Sequence, residues 1–441
     1  MVKHMSRLFW GIIILVIGSY FLGVFEPSKK NSDPNSPVQK GVEISMTCGG
    51  KGKQYEECAK TVRGWEEKTG NRVNLVSIPS DANERLALYQ QFLAAKSKNI
   101  DVFMIDVTHP ALLGYHFEDL SPVISDEDKK QHFTHLVENN TIDGKLLAMP
   151  FYTEVGVLYY RSDLLEKYGL KAPETWEDLE AGSLKVIEEE RKAGQEKIWG
   201  FVFQGKAYEG LTVNGIEWID SFNGKGLLDD KGIPLMNSPE ALGAFKMASR
   251  WIGKISPEGV LNYNEEDCRG VFQSGNAVFL RSWGYVWSLL NTEDSVVNKK
   301  VKIAKLPKGG ANGKHTGALG GWQVAVSKYS EHKKEAMDLV KYITKKQEQK
   351  NRAISSGYLP TIPELYKDAD IIQAHPHFAQ IEPLFEAAIV RPSKKMGLKY
   401  SQFSKELFMG LHAILSSGEN YEDAAKTLQK RLEEVMSAPS R

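Results

Sequence analysis

Carboxylates, flat aromatic side chains and one arginine gather at predicted strand ends, without a nucleophile and base beside them. These residues are Asp106, Tyr152, Glu154, Trp283, Trp287, Trp322 and Arg391. Carboxylates accept charge-assisted hydrogen bonds from vicinal hydroxyls. Aromatic rings offer rigid apolar area to the C–H faces of a sugar ring. The combination therefore indicates sugar binding.

Each of these residues also has an ordinary structural interpretation. Trp283 and Trp322 are of a type that is usually largely buried, so either could be a core residue. Asp106 follows a predicted strand and could be the N-cap of a helix. Asp106 and Glu154 could instead serve as the acid and nucleophile of a glycoside hydrolase. That enzyme is the alternative to a binding protein.

Motifs of other chemistries do not occur in the sequence. There is no GxxxxGK[ST], no G-x-S-x-G and no H-E-x-x-H, and no Cys/His spacing fits a zinc site. We therefore expect no cofactor and no metal. His109, His132 and His135 could suggest a metal, but the polar helical surroundings of the last two favour surface positions. Lys plus Arg equals Asp plus Glu at 56 each, which gives no reason to expect nucleic acid as a partner.

The first candidate residues follow an alternation of strands and helices. Strands at Val42–Thr47, Arg72–Ile78 and Asp101–Asp106 are separated by helices at Gln54–Lys68 and Ala82–Lys98. This order predicts a parallel sheet flanked by helices. Ligands bind beyond the carboxyl ends of the strands in such sheets. The residues predicted to form the rim of this crevice are Gly49, Gly50, Ser80, Asp81 and Asp106.

A second stretch of alternation begins after Pro150. Its predicted strands are Val155–Tyr160, Ile198–Phe203, Ala277–Arg281, Val301–Lys305 and Gly321–Ser327, with helices near 175–193, 209–222 and 239–256. From about residue 331 the pattern is helical and ends in an amphipathic helix at Tyr421–Met436. Since 441 residues suit two domains, we predict an α/β protein with two lobes and a helical C-terminal region.

The N-terminal segment differs in composition from the rest. Leu8–Phe25 is uncharged and follows Lys3 and Arg7. Its length is close to what a membrane core requires, and the basic flank predicts export of the remaining chain. We interpret residues 1–25 as a membrane anchor or, alternatively, a signal peptide, although the A-x-A cleavage pattern is absent. The Pro-, Ser- and Lys-rich residues 26–41 are predicted to form a linker.

The chain has three cysteines, at Cys48, Cys58 and Cys268. Export permits a disulfide, and the ten-residue separation makes Cys48 and Cys58 the candidate pair. The alternative is that all three are small buried apolar residues. Spacing alone does not decide between them.

Longer segments carry a family resemblance over nearly all of residues 42–441. In their order and spacing they resemble the extracellular solute-binding proteins of ATP-driven sugar importers, of the maltose/trehalose-binding type. The segments are IDVFMIDV (100–107), LLAMPFYTEVGVLYYRSDLLEKYG (146–169), APETWEDL (172–179), IWGFVFQGKAYEGL (198–211), FQSGNAVFLRSWGYVWSLLN (272–291), LGGWQVAVSKYS (319–330) and IVRP (389–392).

The resemblance implies a type II periplasmic-binding-protein-like fold, in which two lobes close by hinge bending. It places residues 42–149 plus 282–327 in the N-terminal lobe and 150–281 plus 328–441 in the C-terminal lobe. The chain crossings would fall near Met149–Phe151, Leu280–Ser282 and Ser327–Tyr329. The implied function is extracytoplasmic capture of a small oligosaccharide, a maltose- or trehalose-like disaccharide, for ABC permease membrane subunits. We expect a monomer.

The resemblance also implies positions for the sugar contacts. In chain order they are Glu57, Asp106, Tyr152, Glu154, Trp283, Gly321, Trp322 and Arg391. The first of these falls on Glu57 or on a residue one turn away. Glu154 stands where the family branch has aspartate, and the segment after Arg391 departs from the family's aromatic pattern. These two departures bear on which sugar is bound, and not on whether a sugar is bound.

Overall fold

The computed structural model describes residues 40–50, 53–224, 226–386 and 388–439. The predicted anchor or signal at 1–25, and all but the end of the predicted linker at 26–41, lie outside these residues. Among the helices that are described, none is long and apolar enough to cross a membrane.

The strands of the described chain form one main sheet and one short hairpin. They are β1 (Glu43–Cys48), β2 (Arg72–Ser77), β3 (Val102–Asp106), β4 (Thr141–Ile142), β5 (Lys145–Leu146), β6 (Met149–Arg161), β7 (Trp199–Val202), β8 (Ala277–Trp283), β9 (Val301–Ala304) and β10 (Leu319–Val326). The main sheet has eight strands in the order β2-β1-β3-β10-β6-β8-β7, with β9 also paired to β6, while β4 and β5 form the hairpin.

Helices cover the sheet and make up the C-terminal part. They are α1 (Lys53–Thr69), α2 (Ala82–Ala94), α3 (His109–Leu113), α4 (Asp126–Gln131), α5 (Thr134–Asn139), α6 (Ser162–Lys167), α7 (Trp176–Lys192), α8 (Glu209–Ser221), α9 (Pro239–Ser249), α10 (Glu265–Gln273), α11 (Val286–Leu290), α12 (Lys333–Ile343), α13 (Lys346–Ser356), α14 (Ala369–Ala374), α15 (Phe378–Glu386), α16 (Ser393–Met396), α17 (Lys399–Ser417) and α18 (Tyr421–Ser437). Short 3-10 turns occur at Gly114–His116, Glu258–Asn262, Pro363–Lys367 and Gly418–Asn420.

Strand β6 divides the main sheet into two parts. Its first half pairs antiparallel with β10, which also pairs with β3. Its second half pairs antiparallel with β8 and β9. We call β1, β2, β3 and β10 the first half-sheet, and β7, β8 and β9 the second half-sheet. Almost every residue of the thirteen-residue β6 is buried, as expected for a strand covered on both faces.

The first half-sheet confirms the predicted parallel order. Strand β1 pairs parallel with both β2 and β3, and all five residues of β3 are buried. Asp81 is the N-cap of helix α2. Its side chain accepts from the backbone N–H groups of Asn83 and Glu84 and so satisfies two donors of the first turn. The carboxyl ends of β1, β2 and β3 therefore lie at one edge.

Two segments lie with the opposite half-sheet from the one that the predicted lobe boundaries gave them. Strand β9 was assigned with 282–327 to the N-terminal lobe, but Leu158 of β6 pairs with Ala304. Helix α12 was assigned with 328–441 to the C-terminal lobe, but its Leu339 and Ile343 share an apolar core with Ile44 of β1. These two assignments were wrong. The order of segments along the chain does not show which half-sheet a strand joins or which core an amphipathic helix covers. The other boundaries stay a prediction.

The C-terminal helices pack around α8. Leu407, Leu411 and Leu428 of α17 and α18 share a core with Leu211 and Ile216 of α8. The predicted helix at Tyr421–Met436 is confirmed within one residue. The predicted helix at 239–256 ends at Ser249, before the positive-φ turn at Gly253. Helix α10 was not predicted.

Candidate functional site

One cavity of about 420 Å³ contains seven of the eight predicted contact residues in its lining. They are Asp106, Tyr152, Glu154, Trp283, Gly321, Trp322 and Arg391. The predicted rim residues Gly50, Ser80 and Asp81 also line it. The walls come from both half-sheets, from β6 between them, and from α2, α8 and α10. The cavity therefore lies beyond the carboxyl ends of β1 and β3, where an open α/β sheet binds its ligand.

Strand register aligns three of these residues in a row. Trp322 of β10 lies opposite Asp106 of β3 on one side and opposite Tyr152 of β6 on the other. The preceding residue, Gly321, has φ of 114°, and a Cβ there would lie 2.5 Å from the carbonyl oxygen of Tyr152. Both the backbone angle and the close approach require glycine.

Two tryptophan rings form the aromatic part of the wall. Trp283 and Trp322 are half-buried, whereas Trp251 is fully buried in the core. The guanidinium of Arg85 lies 3.8 Å from the centre of the Trp322 ring, and that of Arg281 lies 4.2 Å from the Trp283 ring. Cation–π contact of this kind stabilises the orientation of a ring. The two indoles are therefore held in place while each keeps surface open to the cavity.

Trp287, the remaining conspicuous tryptophan, does not line the cavity. Its ring stacks on His377, with centroids 4.8 Å apart, and packs against the apolar core that contains Val286 and Leu290. Its role in the described structure is packing.

Asp106 accepts several hydrogen bonds at the end of β3. Its carboxylate lies 2.9 Å from the guanidinium of Arg391 and accepts from the backbone N–H and hydroxyl of Thr108 at 2.9 and 2.8 Å. The N-cap of α3 is Thr108, so the alternative interpretation of Asp106 as a helix N-cap does not hold. Burial alone would raise the pKa of Asp106, but the charge of Arg391 and the bonds from Thr108 outweigh it and hold this pKa below its usual range.

Arg391 links Asp106 to the other side of the cavity. Its second amino group donates to Glu209, at the start of α8, at 2.8 Å. Glu209 also accepts from the hydroxyls of Tyr400 at 2.5 Å and Ser404 at 2.6 Å. The guanidinium is almost fully buried. A buried cation between two carboxylates that are themselves hydrogen-bonded is a fixed part of the wall.

Glu154 occupies a different environment in the middle of β6. One carboxylate oxygen accepts from the backbone N–H of Tyr285 at 3.3 Å, and the other is buried without a hydrogen-bond partner. No cation in the described residues forms an ion pair with it. Burial therefore raises the pKa of Glu154 to about 8, against an ordinary value of 4.5.

Glu57, the eighth predicted contact, does not line the cavity. Its carboxylate pairs with Lys60 at 2.7 Å and accepts a hydrogen bond from Ser356. Gln54, one turn earlier on α1, does line the cavity, and its amide donates to the hydroxyl of Tyr152 at 2.7 Å. The carboxylate at position 57 holds α1 against α13 instead.

Several lining residues were not predicted from the sequence. They are Gln54, Arg85, Tyr208, Glu209, Asn264, Glu265, Glu266, Arg269, Tyr285, Ser356 and Tyr358. Tyr208 and Glu209 fall within a segment that carries the family resemblance. Asn264 begins α10 with a capping box, whose sequence signal, an asparagine three residues before an acid, was available. Tyr285 also falls within such a segment, at 272–291. The remaining residues of this group show no signal of either kind.

The three histidines considered as metal ligands are not assembled into a site. Within the part of the chain that the structure describes, no group of three or more potential ligands could hold a metal ion. The surface position predicted for His132 is wrong: the ring is buried and its Nδ1 lies 2.7 Å from the hydroxyl of Thr361. Burial lowers the pKa of His132 to about 4, so the ring is neutral at pH 7 and serves as a hydrogen-bonded core residue.

Cys48 and Cys58 form a disulfide, with Cα atoms 6.4 Å apart, a separation that suits such a bond. Cys268 is free and buried. Of the two interpretations left open by the sequence, the disulfide holds for Cys48 and Cys58, and the small buried residue holds for Cys268.

Known proteins resemble this chain over most of its length. A probable ABC transporter-binding protein of Deinococcus radiodurans is 44% identical over 395 residues, which are 89% of this chain and 94% of that protein. The maltodextrin-binding protein MdxE of Bacillus subtilis is 27% identical over 75% of this chain and 76% of its own. The maltose-bound structure of T. maritima MalE3 is 36% identical, covers 90% of this chain and 100% of that one, and superposes with a TM-score of 0.82.

These comparisons confirm the expected type II, two-lobe α/β fold and argue against the glycoside hydrolase, since the relatives are binding proteins. The model of the bacterial extracellular solute-binding proteins matches residues 50–350. The chain therefore belongs to the family of bacterial extracellular solute-binding proteins.

Proposed function

We propose that the chain captures a disaccharide of the maltose or trehalose type in this cavity and delivers it to an ABC import permease. The observation that carries the proposal is the pair of half-buried indoles, Trp283 and Trp322, which flank Gly320 and Gly321 in the same wall. Two aromatic platforms suit two pyranose rings, because each ring presents a C–H face to stack on an indole.

The polar lining supports the same proposal. The described lining carries six carboxyl groups and three guanidinium groups. The carboxyl groups are those of Asp81, Asp106, Glu154, Glu209, Glu265 and Glu266, and the guanidinium groups are those of Arg85, Arg269 and Arg391. Sugar hydroxyls both donate and accept, so a lining with many acceptors and some donors suits them. A volume of about 420 Å³ lies in the lower part of the range, roughly 300–1,000 Å³, that small-ligand pockets occupy.

Three polar contacts join the two sides of the cavity and support closure around the ligand. Lys206 pairs with Asp81 at 3.0 Å, the backbone N–H of Glu209 donates to Asn83 at 2.9 Å, and Arg391 bridges Asp106 and Glu209. We propose that the lobes open by bending at β6 and at the other connections between the half-sheets. A sugar that contacts both sides favours the closed form through its differential affinity for the two states.

The family places the protein outside the cytoplasm. The apolar segment Leu8–Phe25 supports a tether to the membrane or export with cleavage, and we propose one of these two arrangements for residues 1–25. The partners proposed here are a sugar and two permease membrane subunits, with the binding protein itself a monomer.

Calorimetric titration of the purified protein with maltose, trehalose, sucrose and glucose tests the proposal. We expect at least one disaccharide to bind with a Kd of about 10 μM or below, equivalent to roughly −7 kcal/mol, and to be recovered intact. Absence of binding to every disaccharide would contradict the proposed ligand class. Release of glucose that is lost in Glu154→Gln would restore the glycosidase alternative.

A further inference from the structure

The Cys48–Cys58 disulfide lies next to the cavity wall. Cys48 is the last residue of β1, and Cys58 lies in α1. Both are buried. Gly50 and Gln54, which line the cavity, fall between the two cysteines in the chain. The covalent bond therefore joins the elements on either side of a segment that contributes to the proposed binding site.

Gln54 and Cys58 lie on one face of α1. Residues four apart in a helix project from the same side, so a bond at Cys58 fixes the position and rotation of the turn that carries Gln54. The amide group of Gln54 donates to the hydroxyl of Tyr152 at 2.7 Å. Its carbonyl oxygen lies over Gly49, where a Cβ would approach it to 1.5 Å. The Gln54 side chain is thus confined between the end of β1 and Tyr152.

The Tyr152 ring is a central part of the wall. It stacks on Tyr358 with centroids 4.6 Å apart and an interplanar angle of 19°, and both rings line the cavity. Within the described residues, the side chain that donates a hydrogen bond to the Tyr152 hydroxyl is Gln54. A shift of α1 along β1 would therefore move the group that fixes this hydroxyl.

We propose that the Cys48–Cys58 disulfide is a positioning device for the cavity: it holds Gln54 on Tyr152, so that the oxidised protein binds sugar more tightly than the reduced one. This inference rests on the proposed function. In the oxidised chain the sulfur–sulfur bond restrains α1 directly. After reduction, hydrogen bonds and packing alone hold α1 in place. The position of α1 that suits sugar binding is then one of several that the helix can adopt.

The redox step is a thiol–disulfide exchange with a dithiol reductant. One dithiothreitol supplies two electrons and two protons, its own sulfurs join in a ring, and Cys48 and Cys58 become thiols. The oxidising environment outside the cytoplasm maintains the disulfide. Tight binding would thus belong to the exported, oxidised protein.

Maltose titration of the full chain tests the inference, with trehalose as the second probe. Removing the bond with Cys48→Ala/Cys58→Ala should raise the Kd about tenfold at a temperature well below the Tm of both proteins. Gln54→Ala in the oxidised chain should raise it by a similar factor. The three substitutions together should raise the Kd no more than either change alone, because both changes remove the same contact of Gln54 with Tyr152. Cys268→Ala is the matched control and should leave the Kd within about twofold.

A disulfide that only stabilises the fold gives a different result. The Tm of Cys48→Ala/Cys58→Ala would fall while its Kd for maltose stayed at the wild-type value, and this would overturn the inference. Gly49→Ala keeps the disulfide and displaces Gln54, so it covers the case in which the double variant does not fold. Gly49→Ala should also raise the Kd about tenfold. An unchanged Kd in this variant would likewise overturn the inference. If the oxidised wild type binds neither sugar, the proposed function itself fails.

Discussion

Two carboxylates line the same cavity in opposite environments. Asp106 is paired with the buried Arg391 and accepts from Thr108, and its pKa lies below the usual range. Glu154 lacks an ion-pair partner among the described residues, has one oxygen without a hydrogen bond, and has its pKa raised to about 8. The Asp106 side keeps a fixed charge, whereas Glu154 holds a proton at neutral pH.

The difference shows which interactions build each side of the site. At Asp106 the wall is an ionic network that depends on every one of its members. At Glu154 the wall contains the stacked rings of Tyr152 and Tyr358, with centroids 4.6 Å apart, and burial rather than a counter-charge sets the pKa of the carboxyl group. The first side should be sensitive to removal of a charge, and the second to pH.

Removing Arg391 should have the largest effect. Arg391→Ala leaves Asp106 and Glu209 buried without their counter-charge and should lower the free energy of unfolding by about 3–5 kcal/mol. Urea unfolding at pH 7 measures it. The variant Arg391→Ala/Asp106→Asn, which removes one of the stranded charges, should recover part of the loss. No recovery would mean that the network is not the cause.

A pH series tests the Glu154 side. The folded pKa of about 8 lies above the ordinary 4.5, so this group stabilises the protein fully below pH 4.5, and its contribution is lost as pH rises through 8. Raising the pH from 6 to 8 should therefore lower the free energy of unfolding by about 2 kcal/mol, at 1.36 kcal/mol per pKa unit. Glu154→Gln keeps the other titrating groups and should lack this component. Parallel curves for the two proteins would contradict the raised pKa.

The two indoles that line the same cavity should affect binding rather than stability. Trp322→Ala and Trp283→Ala should each weaken disaccharide binding about tenfold, or 1.4 kcal/mol, with the Tm of the ligand-free protein close to wild type. Trp251→Ala is the contrast, since this fully buried ring should cost about 3–5 kcal/mol of stability. An equal loss of stability at Trp322 would show that it is a core residue.

The weakest contact at the cavity edge should have the smallest effect. Lys206 is 41% exposed in its pair with Asp81, so Lys206→Ala should change the free energy of unfolding by at most about 1 kcal/mol. Added salt should reduce even this difference. A loss as large as that of Arg391→Ala would remove the distinction between a buried network and an exposed pair.

The sequence predicted the elements that depend on local pattern. The alternation from β1 to β3, the strand-end position of Asp106 and the terminal helix all follow from apolar periodicity. Residue types at predicted strand ends already indicated Trp283, Trp322 and Arg391, and the resemblance added Gly321. The structure places all four in one cavity. What these residues do there stays a proposal.

Long-range contacts account for what was missed. Arg85 is an arginine inside a helix, and only the tertiary structure places its guanidinium against Trp322. Helix α12 packs on the core that contains Ile44 of β1, and an amphipathic pattern alone does not show which core a helix covers. Gln54 rather than Glu57 lines the cavity, because the sequence does not show which turn of a helix faces a ligand. The pKa contrast between Asp106 and Glu154 likewise depends on neighbours distant in sequence.

Calorimetric titration of the wild-type protein and Trp322→Ala with maltose and trehalose tests the central claim most directly. Capture of a disaccharide against the two indoles predicts binding at about 10 μM or tighter by the wild type, a loss of about tenfold in the variant, and equal Tm values without sugar. Wild-type and Trp322→Ala proteins that bind the disaccharides with the same affinity would contradict it.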